Sequence, residues 1–206
     1  MSTATERSFV HRFEPATVPD RKPLVLLHGT GGDENDLIDL GRVVAPGAAL
    51  LAPRGRVLEN GMPRFFRRLA GGVFDEEDVK RRAGELADFL AAACGHYGLE
   101  KPVALGFSNG ANIAAATLLL RPEAFAAAIL LRPMVPLRDP PATDLGGVRI
   151  LALSGAMDPI VPQENAARLA DALKACGAEV EHIVLPAGHN LAQADLTLAR
   201  QWTARL

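Results

Sequence analysis

Short apolar runs alternate along this chain with longer stretches whose apolar residues recur every three or four positions. The runs at residues 23–27 (PLVLL), 48–52 (AALLA), 103–107 (VALGF), 126–131 (AAAILL), 148–153 (VRILAL) and 180–185 (VEHIVL) each predict a strand. Residues 8–14 alternate loosely and fit an additional edge strand. Helical spacing covers residues 33–44, with Asp33 as the N-cap and Asp36 as an acidic partner near the helix start. A second helix spans 75–97, its stripe made by Val79, Leu86, Phe89 and Leu90 and its first turn loaded with acidic residues, as the helix dipole favours. Further helices are expected at 111–120, at 163–176 before Gly177, and at 191–205. Continuous apolar runs, unlike alternating ones, belong to strands buried on both faces. The expected fold is therefore one three-layer α/β domain over residues 1–206, a mostly parallel sheet with helices on both faces.

One stretch breaks the rhythm. Residues 54–74 (RGRVLENGMPRFFRRLAGGVF) have no clean period and read as a loop or lid at the same sheet edge as the chemistry below. Met62, Phe65, Phe66, Leu69 and Phe74 are many large apolar groups for a loop that only connects. Either they anchor the loop on the core, or some of them wall an acyl or aromatic pocket. The preferred reading is the wall, with Met62, Phe65 and Phe66 joined by Met134 and Met157 from neighbouring strand ends. Arg64, Arg67 and Arg68 stand beside them as a solvated rim or as partners for an anionic substrate group.

Composition changes this picture little. A net charge of −2 gives no reason to expect nucleic acid or an anionic membrane surface as partner. No run approaches the roughly 18 apolar residues of a membrane span, and the first residues lack a secretory pattern. Cys94 and Cys176 stand in unrelated contexts, which is no disulfide framework. A cytoplasmic protein is expected.

The chemistry sits at strand ends. Residues 102–110, PVALGFSNG, carry a G-x-S-x-G pentapeptide between a strand and a helix, the context in which a serine is held at a sharp turn. Asp158 follows the 148–153 strand and His189 follows the 180–185 strand. In open α/β sheets, sites lie outside the carboxyl ends of strands. A serine hydroxyl needs a base to take its proton during attack, and imidazole is poised for that near neutral pH. Asp158 would hold the tautomer of His189; Asp144 and Asp195 are the other available carboxylates. Backbone N–H groups of Thr30, in the loop HGTGG, and of Asn109 fit the two donors of an oxyanion hole, with His28 bracing that loop. Neither phosphate-loop pattern is satisfied, and no ligand spacing suggests a metal or another cofactor.

LLHGTGGDENDL, GFSNGA, SGAMDPIVP and AGHNL together resemble the bacterial phospholipase/carboxylesterase family of α/β-hydrolases, relatives of acyl-protein thioesterases and dienelactone-hydrolase-like esterases. MPRFFRRL and LRPMVPL look more like a branch of small esterases that includes hydrolases linked to hydroquinone stress. The resemblance covers roughly residues 20–200. It implies the α/β-hydrolase fold and a carboxylesterase that uses Ser108, Asp158 and His189 on a small ester, without a cofactor. It leaves open a thioesterase, a lysophospholipase, a non-catalytic ligand-binding relative, and a homodimer. Two positions depart from relatives: Asn109 stands where the thioesterases carry Gln, and Ser108 where dienelactone hydrolases carry Cys.

Overall fold

The computed structural model describes residues 9–206, so Ser8, the start of the expected edge strand, lies outside the described residues. In chain order come β1 (His11–Glu14), β2 (Leu24–Leu27), helix α1 (Ile38–Val44) and β3 (Leu50–Pro53). Four short strands follow, β4 (Val57–Glu59), β5 (Met62–Arg64), β6 (Arg68–Ala70) and β7 (Val73–Phe74). Then come α2 (Glu76–Tyr97), β8 (Val103–Phe107), α3 (Asn109–Leu120), β9 (Ala127–Leu131), β10 (Arg149–Gly155), α4 (Gln163–Ala175), β11 (Glu179–Leu185) and α5 (Gln193–Thr203). The main sheet runs β1-β3-β2-β8-β9-β10-β11. Only β1 is antiparallel to its neighbour, with His11 opposite Pro53.

Side chains of successive strand residues leave opposite faces of a sheet, and both faces here are buried. Val25, Leu27, Ala104, Ala128 and Leu130 pack with residues of α2, α3 and α4. Their strand neighbours Leu24, Leu26, Val103, Leu105 and Ile129 pack with Ile38 and Val44 of α1 and Trp202 of α5. This double burial is why the strands read as unbroken apolar runs, and it gives the expected α/β architecture with helices on both faces.

Two local expectations change. The first helix starts at Ile38, because Asp33 spends its carboxylate on the Asn35 N–H at 2.7 Å in a tight turn. Short polar side chains that bond their own backbone compete with helix formation in this way. In the 54–74 segment, β4 pairs with β5 and β6 with β7 as two small hairpins. The first turns through Asn60 and Gly61 at φ 52° and 80°, the left-handed pair that a two-residue hairpin needs.

Phe65 and Phe66, between the hairpins, are 2 % and 0 % exposed and belong to the core cluster beneath α2 and α3. They therefore anchor the segment and do not wall an open pocket, which corrects the preferred reading of these two residues. Truncating a fully buried phenylalanine removes its packing and leaves a cavity. Phe66→Ala should accordingly lower stability by about 3–5 kcal/mol, measured by urea unfolding. A loss below about 1 kcal/mol would show that the segment is not anchored there.

Candidate active site

Ser108, Asp158 and His189 follow the carboxyl ends of β8, β10 and β11. Ser108 joins β8 to α3 at φ 52° and ψ −112°, a conformation that costs a non-glycine residue about 1–3 kcal/mol. Its neighbours make the turn feasible. A Cβ on Gly106 would come within 2.5 Å of the Gly110 carbonyl oxygen, and one on Gly110 would collide with the Leu27 carbonyl. The Ser108 N–H donates to Leu131 O at 2.8 Å, tying the turn to β9.

Ser108 Oγ lies 3.0 Å from His189 Nε2, and His189 Nδ1 lies 2.8 Å from Asp158 Oδ2. Asp158 is held from behind, because its Oδ1 accepts the N–H groups of Ile160 at 2.8 Å and Val161 at 3.0 Å. One carboxylate oxygen is thus fixed by backbone and the other is left for the imidazole. An acceptor at Nδ1 places the ring proton there and leaves the Nε2 lone pair facing the serine. The other two aspartates are engaged elsewhere: Asp144 accepts the Gly146 N–H at 2.8 Å, and Asp195 faces Arg132.

The loop after β2 packs against the first turn of α3, since a Cβ on Gly110 would strike both the Leu27 and His28 carbonyls. Among the described residues, the amides of Thr30 and Asn109 donate to no other protein group. The two residues are held by consecutive residues of the 54–74 segment. Arg64 Nη1 donates to Thr30 Oγ1 at 2.6 Å, and the Phe65 N–H donates to Asn109 Oδ1 at 2.7 Å. The Gly31 N–H adds a bond to Pro63 O at 2.9 Å. Arg64 is itself buried and paired with Glu59 at 3.1 Å, Arg68 also binds Glu59, and Arg67 binds Asp75. These three arginines are structural partners here, and sequence reading had not singled out the Arg64–Thr30 clamp.

His28 braces the same loop. Its Nδ1–H donates to Gly29 O at 2.6 Å, and its Nε2 accepts the Gly55 N–H at 2.9 Å. Because a carbonyl only accepts and an amide N–H only donates, the ring must be the neutral Nδ1–H tautomer. Burial pushes its pKa down, outweighing the Gly29 carbonyl and the nearby carboxylates of Asp36, Asp33 and Glu34. An unfolded histidine protonates near pH 6.5, so below that value the unfolded chain binds a proton that folded His28 resists. Its contribution is complete above about pH 6.5 and is lost as the pH falls below it. The urea midpoint should drop between about pH 7.5 and 5.5 more in the wild type than in His28→Gln. Equal drops would contradict the brace.

The methionines divide. Met62 lies over the loop, with Sδ 3.6 Å from where a Cβ on Gly31 would stand, and Met157 is exposed. Met134 is buried, its N–H donating to Asn112 Oδ1 at 2.7 Å. Leu58, Met62, Leu69, Val73, Met157 and Ile160 are exposed apolar groups.

Residues 11–205 match the Phospholipase/Carboxylesterase family. The chain is 45% identical over 181 residues to the Bacillus subtilis (strain 168) protein named "Putative hydrolase MhqD", covering 87% of this chain and 90% of that one. The crystal structure of a Bacillus cereus carboxylesterase superposes with a TM-score of 0.94 at 40% identity, covering 98% and 96% of the two chains. That of a Mesorhizobium loti carboxylesterase gives 0.91 at 37% identity, covering 95% and 94%.

Proposed function

This chain belongs to the phospholipase/carboxylesterase family, and we propose that it is a serine carboxylesterase cleaving small esters through an acyl intermediate on Ser108. The observation that carries this reading is the run of hydrogen bonds Ser108–His189–Asp158, at 3.0 and 2.8 Å, and it is joined by the Thr30 and Asn109 amides, which among the described residues have no protein acceptor. In the proposed reaction, Ser108 Oγ attacks the ester carbonyl carbon as His189 Nε2 takes its proton. The carbonyl π electrons move onto oxygen, which the Thr30 and Asn109 N–H groups receive. As the tetrahedral species collapses, the C–O bond breaks and His189 returns the proton to the leaving alcohol. Water then repeats the sequence against the acyl-serine, releasing the acid. Asp158 keeps the imidazole in one tautomer and offsets the charge that forms on it.

In this reading the exposed Met62 and Met157, with the buried Met134, offer adaptable side chains to a small apolar acyl or alkyl group. No helix among the described residues is long and apolar enough to cross a membrane. We assign the enzyme to the cytoplasm and its partner to a small ester molecule. A panel of p-nitrophenyl esters, an acyl thioester and a lysophospholipid tests the substrate class. The reading expects kcat/KM for a short ester to exceed that for the other two by about tenfold or more, a difference of about 1.4 kcal/mol in transition-state binding. A thioester or lysophospholipid preferred by that margin would replace the carboxylesterase reading while keeping the acyl-serine route.

A further inference from the structure

Arg132, the residue after β9, has a left-handed conformation, φ 55°, and a fully enclosed side chain. Its Nη1 and Nη2 fork onto Asp195 Oδ1 and Oδ2 at 2.7 and 2.8 Å, and neither side chain is exposed. The remaining donors turn to the loop between β11 and α5. Nε donates to Gly188 O at 2.8 Å and Nη2 to Asn190 O at 3.2 Å, while Nη1 also reaches Leu153 O at 3.3 Å. Asp195 Oδ2 completes the cage by accepting the Ala192 N–H at 2.8 Å. The residue between the two gripped carbonyls is His189. Among the described residues, the backbone of 188–191 makes no other hydrogen bond.

From this arrangement we infer that Arg132, backed by Asp195, is a positioning residue that sets the place of the His189 imidazole. Stability alone is a poor reason for such a pair, because removing two charges from water offsets most of their attraction. A strained backbone also persists only where its surroundings hold it. What the guanidinium uniquely supplies is geometry: a planar fork can hold a carboxylate and two carbonyls together, which a lysine ammonium, a single point of charge, cannot. The imidazole must keep Nε2 near Ser108 and Nδ1 on Asp158 at the same time, and a misplacement of about 1 Å in such a group costs on the order of 10²-fold in rate. Arg132 touches neither substrate nor the reacting atoms and acts through the loop.

The inference rests on the proposed role of His189 as the base, so His189→Ala is measured alongside. If His189→Ala keeps its activity, the proposed function itself fails. The decisive variant is the double substitution Arg132→Met/Asp195→Leu, which removes both charges together and leaves no unpaired ion. The expected result is a folded protein with a wild-type-like melting temperature, kcat lower by about 10²-fold and KM within about twofold. A folded double variant whose kcat stays within about threefold, with His189→Ala inactive, overturns the positioning role. Arg132→Lys keeps the charge opposite Asp195 and loses the second carbonyl. It should show the same split, kcat down by about tenfold or more with KM unchanged. Should the double variant fail to fold, the lysine variant decides by that criterion. If neither folds, the pair serves folding and the assignment falls.

Discussion

Ser108→Ala should lower kcat by on the order of 10⁴–10⁶ and leave the protein folded. The size of the loss follows from the way the three side chains are coupled. Among the described residues His189 Nε2 faces one partner, the Ser108 hydroxyl at 3.0 Å, so in the proposed reaction removing that oxygen would leave the base without its nucleophile. The Thr30 and Asn109 amides remain, and in the proposed reaction they would account for the small residual rate that such sites retain over water. The fold should survive because the backbone features of the turn do not depend on the hydroxyl. Gly106 and Gly110 still give room, and the Ser108 N–H bond to Leu131 O is unaffected by loss of Oγ. Steady-state ester hydrolysis, with a urea melt on the same sample, checks both halves. A variant keeping more than about a tenth of wild-type turnover would remove Ser108 from the role of nucleophile.

Asp158→Asn is expected to lower kcat by up to about 10⁴ through the wrong imidazole tautomer. The carboxylate can only accept from His189 Nδ1, whereas an amide can present its NH₂ there and push the ring proton to Nε2. Ser108 would then face a donor where it needs an acceptor. The Asn Oδ1 can still accept the Ile160 and Val161 amides, so the turn need not rearrange. Asp144→Asn serves as the contrast, since that carboxylate caps the Gly146 amide in the 137–147 connection. Unchanged activity in Asp158→Asn, with loss in Asp144→Asn, would reassign the acid.

Much of this was legible in the chain before any coordinates, for physical reasons that differ by element. The strand runs were readable because residues of both faces are buried, so Val25 and Leu26 are equally apolar although they enter different clusters. Ser108, Asp158 and His189 were readable because each follows a strand whose end is marked by Gly or Pro. The hairpins in 54–74 were missed although Asn60-Gly61 is a strong turn signal. Strands of three and two residues, such as those at 57–59 and 73–74, are too short for any period to show. Counting apolar groups there was sound, but a count does not say which way Phe65 and Phe66 point. Arg132 and Asp195 lie 63 residues apart, and nothing local connects them. The one hint was a charged residue inside the apolar stretch LLRPMV, where burial requires a partner.

Mass analysis of the protein after a rapid quench with a short p-nitrophenyl ester tests the acyl-serine claim most directly. The account predicts a transient mass increase of one acyl group, mapped to the peptide containing Ser108 and absent from Ser108→Ala. Continued ester turnover with no adduct, or with the adduct on another residue, would contradict it.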